Sequence, residues 1–135
     1  VYDFANKIRK DPSRIEVLGD GKQAKAYLWI GDCVSAIWHV LNTQNEKINI
    51  FNLGPDEYIT VDQSLDVICK VMGAQPKREY TGGTRGWVGD SPFIFLDCAK
   101  LKATGWKSQK TIRESVEVTI NYLLKNSWLL DRRQT

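Results

Sequence analysis

Long apolar runs are missing from this 135-residue sequence, and so are cysteine pairs and histidine clusters. No apolar stretch approaches the roughly 18 residues that a membrane-spanning helix needs, and no signal-peptide pattern is visible. Three cysteines without a Cys-x-x-Cys pair, together with one histidine, argue against a disulfide scaffold and against a metal site. The sequence therefore predicts a protein without a membrane segment, and its cysteine content favours a cytoplasmic location.

The composition of the chain is that of a globular protein, and we expect a single domain over residues 1–135. Apolar residues make up 42% of the chain and charged residues 26%. The net charge of +3 suits an anionic ligand, but the 19 basic residues are interleaved with 16 acidic ones. That dispersion argues against a nucleic-acid surface. An amphipathic helix begins at Val1 without a preceding capping residue, and we therefore expect the chain to be part of a longer protein.

Short strand patterns alternate with helical ones. Residues 15–18 read as a strand, and the turn at Asp20-Gly21 followed by the alternation from Gln23 to Ile30 predicts a hairpin. The apolar run from Ile48 to Leu53 predicts a strand that is buried on both faces, as in a parallel sheet. These alternating elements indicate an α/β fold.

Helix signals are clearer than strand signals. Thr60 with Gln63 and Thr111 with Glu114 have the spacing of capping boxes. Asp32 is expected to cap a further helix. The core side of that helix is predicted to carry Val34, Ile37, Trp38 and Leu41.

One glycine pattern matches a dinucleotide-binding motif in its residues but not in its predicted structure. Gly19-x-Gly21-x-x-Ala24 matches G-x-G-x-x-G/A, but the residues that follow alternate like a strand, so no helix N-terminus is available for a pyrophosphate. No tyrosine is followed four residues later by lysine, and no serine-hydrolase, zinc-protease or Walker motif occurs. The residues alone therefore predict a binding domain without catalytic residues.

Two basic residues are candidates for binding an anion, Lys25 on the alternating segment and Arg85 in the glycine-rich loop. Guanidinium donates pairs of hydrogen bonds to phosphate oxygens, and the glycines allow the backbone to approach a ligand. Cys33 and Cys98 follow aspartates at predicted helix starts, where a thiol pKa can fall, but buried packing is the better interpretation because no histidine is near in sequence.

Four segments, in this order, resemble extended short-chain dehydrogenases, the NAD-dependent nucleotide-sugar epimerases and dehydratases. Residues 19–36, GDGKQAKAYLWIGDCVSA, resemble the family segment G-x-G-x-Q-x-R-x-Y-x-x-V-x-D-x-x-x-A. FNLG at 51–54 resembles its YNLG strand, and RGWVGDSP at 85–92 resembles its R-x-G-D-x-P loop with two extra residues. Asp97, Lys100 and Gly105-Trp106 resemble its D-x-x-K…LGW segment. The UDP-glucose 4-epimerase branch is the most similar.

The resemblance implies the C-terminal, substrate-binding half of such an enzyme, with residues 48–53 joining the sheet of an absent Rossmann domain. The implied site for a nucleotide-diphosphate sugar, a UDP-sugar foremost, consists of base-contacting Glu16 and Leu18, diphosphate-binding Lys25, the neighbouring aromatic Tyr27, and the loop residues Arg85 and Asp90. Lysine stands at 25 where the family has arginine, so one point charge replaces a two-pronged donor.

The implied activity is that of the parent enzyme and requires NAD bound by its other domain. We expect no cofactor on this chain and no activity from it alone. The same half of a 4,6-dehydratase or 4-keto reductase stays open as an alternative, and a basic RNA-binding module is a further one. The apolar segment 48–53 leads us to expect self-association of the isolated chain.

Overall fold

The computed structural model describes residues 1–91 and 93–131 and confirms an α/β fold. Among these residues, six helices and four short strands follow in the order α1 Tyr2–Lys10, β1 Arg14–Val17, β2 Ala24–Lys25, α2 Ile30–Thr43, β3 Ile59–Thr60, α3 Val61–Met72, β4 Lys77–Tyr80, α4 Ala99–Lys102, α5 Ile112–Lys125 and α6 Trp128–Asp131.

Two small sheets connect parts of the chain that lie far apart in sequence. β1 pairs in parallel with β4, from Arg14 opposite Lys77 to Val17 opposite Tyr80. β2 pairs antiparallel with β3, Ala24 opposite Thr60. The predicted hairpin is therefore wrong. Asp20-Gly21 does form a turn, but the chain then leaves β1, and its alternating segment is a strand only at 24–25.

Both predicted capping boxes are confirmed. Thr60 accepts from the backbone N–H of Gln63 and Thr111 from that of Glu114, and each partner side chain returns to the cap. Gly73 ends α3 in the left-handed conformation, with φ of 64°. α3 and α5 pack on each other, and α1 packs against both helices and against β1. The core consists chiefly of Ile8, Ile15, Val17, Leu65, Ile68, Ile112, Val116 and Ile120.

α2 faces the opposite way from the prediction. Val34, Ile37, Trp38 and Leu41 are all exposed, and the buried side carries Asp32 and Ala36. Asp32 is not the cap, because the helix begins at Ile30. Its carboxylate instead accepts hydrogen bonds from the backbone N–H groups of Gln109 and Lys110, at 2.9 and 3.2 Å. The side chain thereby fixes α2 to the segment before α5.

The predicted strand at 48–53 is not formed in this chain. Ile48 and Ile50 are exposed, whereas Phe51 and Leu53 pack partly against a small second core of Ala36, Leu101 and Trp106. A strand needs a neighbour to pair with, and no described segment pairs with this one. Its pairing with a further sheet stays a prediction.

No helix among the described residues combines the length and the apolarity that crossing a bilayer requires.

Candidate functional site

The carboxyl ends of the two parallel strands place two separate segments side by side. Leu18 follows β1 and Thr81 follows β4, and the backbone N–H of Thr81 donates to the carbonyl of Val17 at 3.0 Å. The N–H of Gly19 donates to Oγ1 of Thr81 at 2.8 Å, and that of Gly82 to the carbonyl of Gly19 at 3.0 Å. The loop 81–91 is thus attached to the end of β1, at the sheet edge where parallel α/β folds bind ligands.

An ion pair connects that loop to β2. Nζ of Lys25 lies 2.5 Å from Oδ1 of Asp90 and donates also to the carbonyl of Ser91 at 2.8 Å. The other carboxylate oxygen of Asp90 accepts from the N–H of Gly86 at 3.1 Å. Both side chains of the pair are partly buried, that of Lys25 being 26% exposed and that of Asp90 13% exposed. One carboxylate therefore links the middle of the loop, at Gly86, to its C-terminal part and to the ammonium group of Lys25.

The pair changes the local electrostatics. Hydrogen bonding from Lys25 holds the pKa of Asp90 below the ordinary aspartate value, assisted by the N–H of Gly86. Burial raises the pKa of Tyr27, and the negative charge of Asp90 raises it further. At neutral pH the site therefore contains an ionised carboxylate and a neutral phenol.

Two clefts meet at this ion pair, because Lys25 and Asp90 line both. The Tyr27 cleft, of about 430 Å³, runs between β2 and the segments 53–55, 89–91 and 94–96. Its walls are mostly apolar, including Leu28, Leu53, Ile94 and Leu96. The Trp87 cleft, of about 500 Å³, lies between α1 and the loop 81–91. Besides the pair, its lining includes Leu18, Gln23, Gly86 and Trp87 together with residues of α1, among them Asp3, Asn6, Lys7 and Lys10.

The structure brings four of the six predicted site residues to these clefts. Lys25 and Asp90 line both, Tyr27 lines one and Leu18 the other. Glu16 lines neither cleft, but its Oε1 lies 3.3 Å from Nζ of Lys7, a residue that lines the Trp87 cleft. Arg85 lines neither cleft, and its Nη1 lies 3.5 Å from the carbonyl of Val88. Pro92, the last residue of the loop motif, lies outside the described residues.

Sequence reasoning missed Gln23, whose side chain is only 3% exposed. Its Nε2 donates to the carbonyl of Leu18 at 3.0 Å. A Cβ at Gly19 would lie 1.8 Å from that nitrogen, so only glycine leaves room for the amide. The signal was present in the Gly-x-Gly-x-Gln spacing, in which Gly19 leaves space for the glutamine side chain rather than for a phosphate.

The glycine turn does not fit a dinucleotide. The chain continues from it into β2 rather than into a helix, and the N–H of Asp62, in the first turn of α3, already donates to the carbonyl of Gly21 at 3.0 Å. A Cβ at Gly21 would lie 2.5 Å from Oδ2 of Asp62, which places a carboxylate where the pyrophosphate would have to approach. The residues of this chain therefore do not form an NAD site at Gly19–Gly21.

Several polar residues outside the two clefts are buried or hydrogen-bonded within the chain. Cys98 is buried, and burial raises the pKa of its thiol. His39 is half-buried, with Nε2 at 2.9 Å from Oγ1 of Thr104. Nζ of Lys100 donates to the carbonyl of Ile50 at 2.8 Å, and the amide of Asn52 to that of Asp97 at 3.0 Å, which holds 50–52 beside α4. Residues 1–91 and 93–131 contain no cluster of side chains suited to a metal ion.

Comparison with known proteins extends this picture. The profile of the NAD dependent epimerase/dehydratase family matches residues 1–54. The chain is 29% identical over 124 residues to a protein of Methanocaldococcus jannaschii named as a candidate UDP-glucose 4-epimerase, and this match covers 92% of the chain and 38% of that protein. It is 28% identical to a trifunctional UDP-glucose 4,6-dehydratase, epimerase and reductase of Arabidopsis thaliana, over 83% of the chain and 16% of that protein.

Solved structures show the same fold. A crystal structure of UDP-galactose 4-epimerase matches with a TM-score of 0.78 and 30% identity, over 94% of this chain and 40% of that one. The UDP-glucose 4-epimerase of Thermotoga maritima, solved with UDP-glucose, matches with a TM-score of 0.76 and 22% identity, over 93% and 39%. The chain thus spans well under half the length of the relatives it matches. In sequence and in fold, it corresponds to the C-terminal portion of the extended short-chain dehydrogenases of the NAD-dependent epimerase/dehydratase family.

Proposed function

We propose that this chain binds the nucleoside diphosphate of a nucleotide sugar, a UDP-sugar foremost, for an NAD-dependent 4-epimerase of the UDP-glucose 4-epimerase type. The observation that carries the proposal is the contact between Lys25 and Asp90 at the junction of two clefts. A nucleotide sugar has the matching layout, with a charged diphosphate between two uncharged ends.

Lys25 is suited to the diphosphate. Its ammonium group has three N–H donors, of which Asp90 and Ser91 occupy two in the described part of the chain, so one is left for a phosphate oxygen. Its partial burial strengthens a charge-assisted hydrogen bond relative to one in water. Arg85 lies on the exposed loop and can add a second, two-pronged contact when its side chain turns toward the cleft.

In this proposal, the other residues implied by the resemblance contact the base, the ribose and the diphosphate. Glu16 on β1 and Leu18, which directly follows β1, contact the base, Asp90 binds the ribose hydroxyls, and Tyr27 reaches the diphosphate from the apolar cleft. Fixing the diphosphate while the hexose stays mobile is a positioning role, since an epimerase presents both faces of C4 to one hydride site. The hydride chemistry belongs to an NAD-binding unit that contributes the Tyr-x-x-x-Lys pair, which this sequence lacks.

Calorimetry with UDP and UDP-glucose tests the binding role. Lys25→Met should weaken UDP binding by about tenfold or more, since a charge-assisted hydrogen bond contributes about 1.5–3 kcal/mol. Lys25→Arg should retain it, because guanidinium serves phosphate well. Lys22→Met, on the adjacent exposed turn, is the control and should bind as the unaltered chain does. Absence of UDP binding by the unaltered chain, or equal binding by Lys25→Met, would overturn the proposal.

A second candidate is the same role in a 4,6-dehydratase or reductase. The similarity to the Arabidopsis thaliana dehydratase over 83% of this chain favours it. The two candidates share the diphosphate site and differ in chemistry at the hexose. The product that the parent enzyme forms from UDP-glucose separates them, UDP-galactose for an epimerase and a 4-keto-6-deoxy sugar for a dehydratase.

A further inference from the structure

Trp87 stands in a part of the loop that the family pattern lacks. The loop reads Arg85-Gly86-Trp87-Val88-Gly89-Asp90, two residues longer than R-x-G-D. The Trp87 side chain is 66% exposed, yet it forms a wall of the Trp87 cleft together with Leu18 and the Lys25–Asp90 pair. A large exposed indole beside a cleft is a feature that packing within the described chain does not account for.

The loop holds this indole in a defined position. The N–H of Asp90 donates to the carbonyl of Trp87 at 3.0 Å and closes a tight turn. The ring lies against Gly89, where a Cβ would come within 2.3 Å of Cζ3. Asp90 in turn is fixed by Lys25 and by the N–H of Gly86. The indole is thus placed relative to the ammonium group that the proposed function assigns to the diphosphate.

We propose that Trp87 stacks on the nucleobase of the bound nucleotide. This inference rests on the proposed function, because the diphosphate on Lys25 would direct the nucleoside into the Trp87 cleft. An indole presents a broad π-face to a planar base, and stacking tolerates differences between bases. Leu18, 44% exposed in the same cleft, offers an apolar contact to the base.

Calorimetry on the full 135-residue chain, with UDP and inorganic pyrophosphate as separate probes, tests the inference. Trp87→Ala should weaken UDP binding by about tenfold or more, as removal of a stacking aromatic does elsewhere. Pyrophosphate binding should change little, because pyrophosphate carries no base. Trp87→Phe should retain most of the UDP affinity of the unaltered chain. Trp38→Ala is the matched control, since Trp38 is 68% exposed on α2 and lies outside both clefts.

Three outcomes would overturn the inference. Unchanged UDP binding by Trp87→Ala removes the stacking role and leaves the proposed function intact. Equal losses for UDP and pyrophosphate mean that Trp87 supports the loop rather than contacts the base. Absence of UDP binding by the unaltered chain removes the proposed function and, with it, this inference.

Discussion

Lys25 and Asp90 are 65 positions apart in sequence, and the ammonium nitrogen of one lies 2.5 Å from a carboxylate oxygen of the other. The contact joins a two-residue strand to a glycine-rich loop, two elements with little regular structure of their own. Each therefore depends on the other for its position. The predictions below start from this pair and then turn to the scaffold around it.

The first prediction concerns the titration of Asp90. Its lowered pKa means that the folded state releases the proton more readily than the unfolded state, so the pair contributes stability above the ordinary value of 3.8. That contribution is lost as pH falls through the lower, folded-state pKa. A carbon-13 NMR titration of the carboxyl group should give a midpoint below 3.8. Lys25→Met should raise the midpoint, and an unchanged value would mean that Lys25 is not the main cause.

The second prediction concerns Asp32, which is fully buried. Asp32→Ala leaves the N–H groups of Gln109 and Lys110 without their acceptor, and should lower the free energy of unfolding by about 2–4 kcal/mol. Asp32→Asn keeps one carbonyl oxygen and should cost less. Urea denaturation measures both. Glu117→Ala, on the exposed side of α5, should stay within about 0.5 kcal/mol of the unaltered chain.

The third prediction concerns the N-terminus of α5. Thr111→Ala removes the acceptor for the N–H of Glu114 and should cost about 1 kcal/mol of stability. Thr111→Ser retains the hydroxyl and should lie close to the unaltered protein. Thermal unfolding followed by circular dichroism gives the comparison. Equal losses for the alanine and serine variants would show that the threonine methyl group, and not the cap, is the source of the effect.

The fourth prediction concerns thiol reactivity. Burial raises the pKa of Cys98, so less thiolate is present at neutral pH and alkylation is slow. Mass spectrometry after limited treatment with iodoacetamide should find Cys33, which is half-buried, modified before Cys98. Faster modification of Cys98 would indicate that its segment opens readily to solvent.

The fifth prediction is self-association of the isolated chain. Val34, Ile37, Trp38 and Leu41 form an exposed apolar stripe on α2, and Ile48 and Ile50 are exposed as well. Sedimentation at micromolar concentration should show species larger than a monomer. Trp38→Lys should shift the distribution toward monomer, whereas Val118→Lys on α5 should not. A monomeric unaltered chain would contradict the prediction.

The parts that the sequence predicted well are those governed by neighbours in sequence. A capping box joins residues three positions apart, so Thr60 with Gln63 and Thr111 with Glu114 could be recognised directly. The stripe on α2 was also visible, but a periodic pattern does not say whether its apolar face meets this chain's core or another surface. The buried carboxylate of Asp32 decided that orientation, through contacts 77 and 78 positions away.

The predicted strand pairing was wrong for the same reason. Asp20-Gly21 has the local chemistry of a hairpin turn, yet β1 pairs with β4 and β2 with β3. Of the candidate site, Lys25 was selected as a basic residue and again by resemblance to a family, whereas Asp90 was selected by the resemblance alone. No spacing rule brings residues so far apart together. The cleft position of Trp87 and the hydrogen bond of Gln23 were missed because they depend on a cleft and a carbonyl that come together only in the folded chain.

The parallel pairing of β1 with β4 bears on the order in which the molecule folds. A parallel pair cannot form from a hairpin, so its pairing encloses the whole connection between β1 and β4, which contains α2 and α3. Closing so long a segment is entropically costly and makes this a slow step relative to helix formation. Leu18 and the loop 81–91 are brought together by that same closure. During refolding, ligand affinity should therefore appear late, after most of the helical signal has been regained.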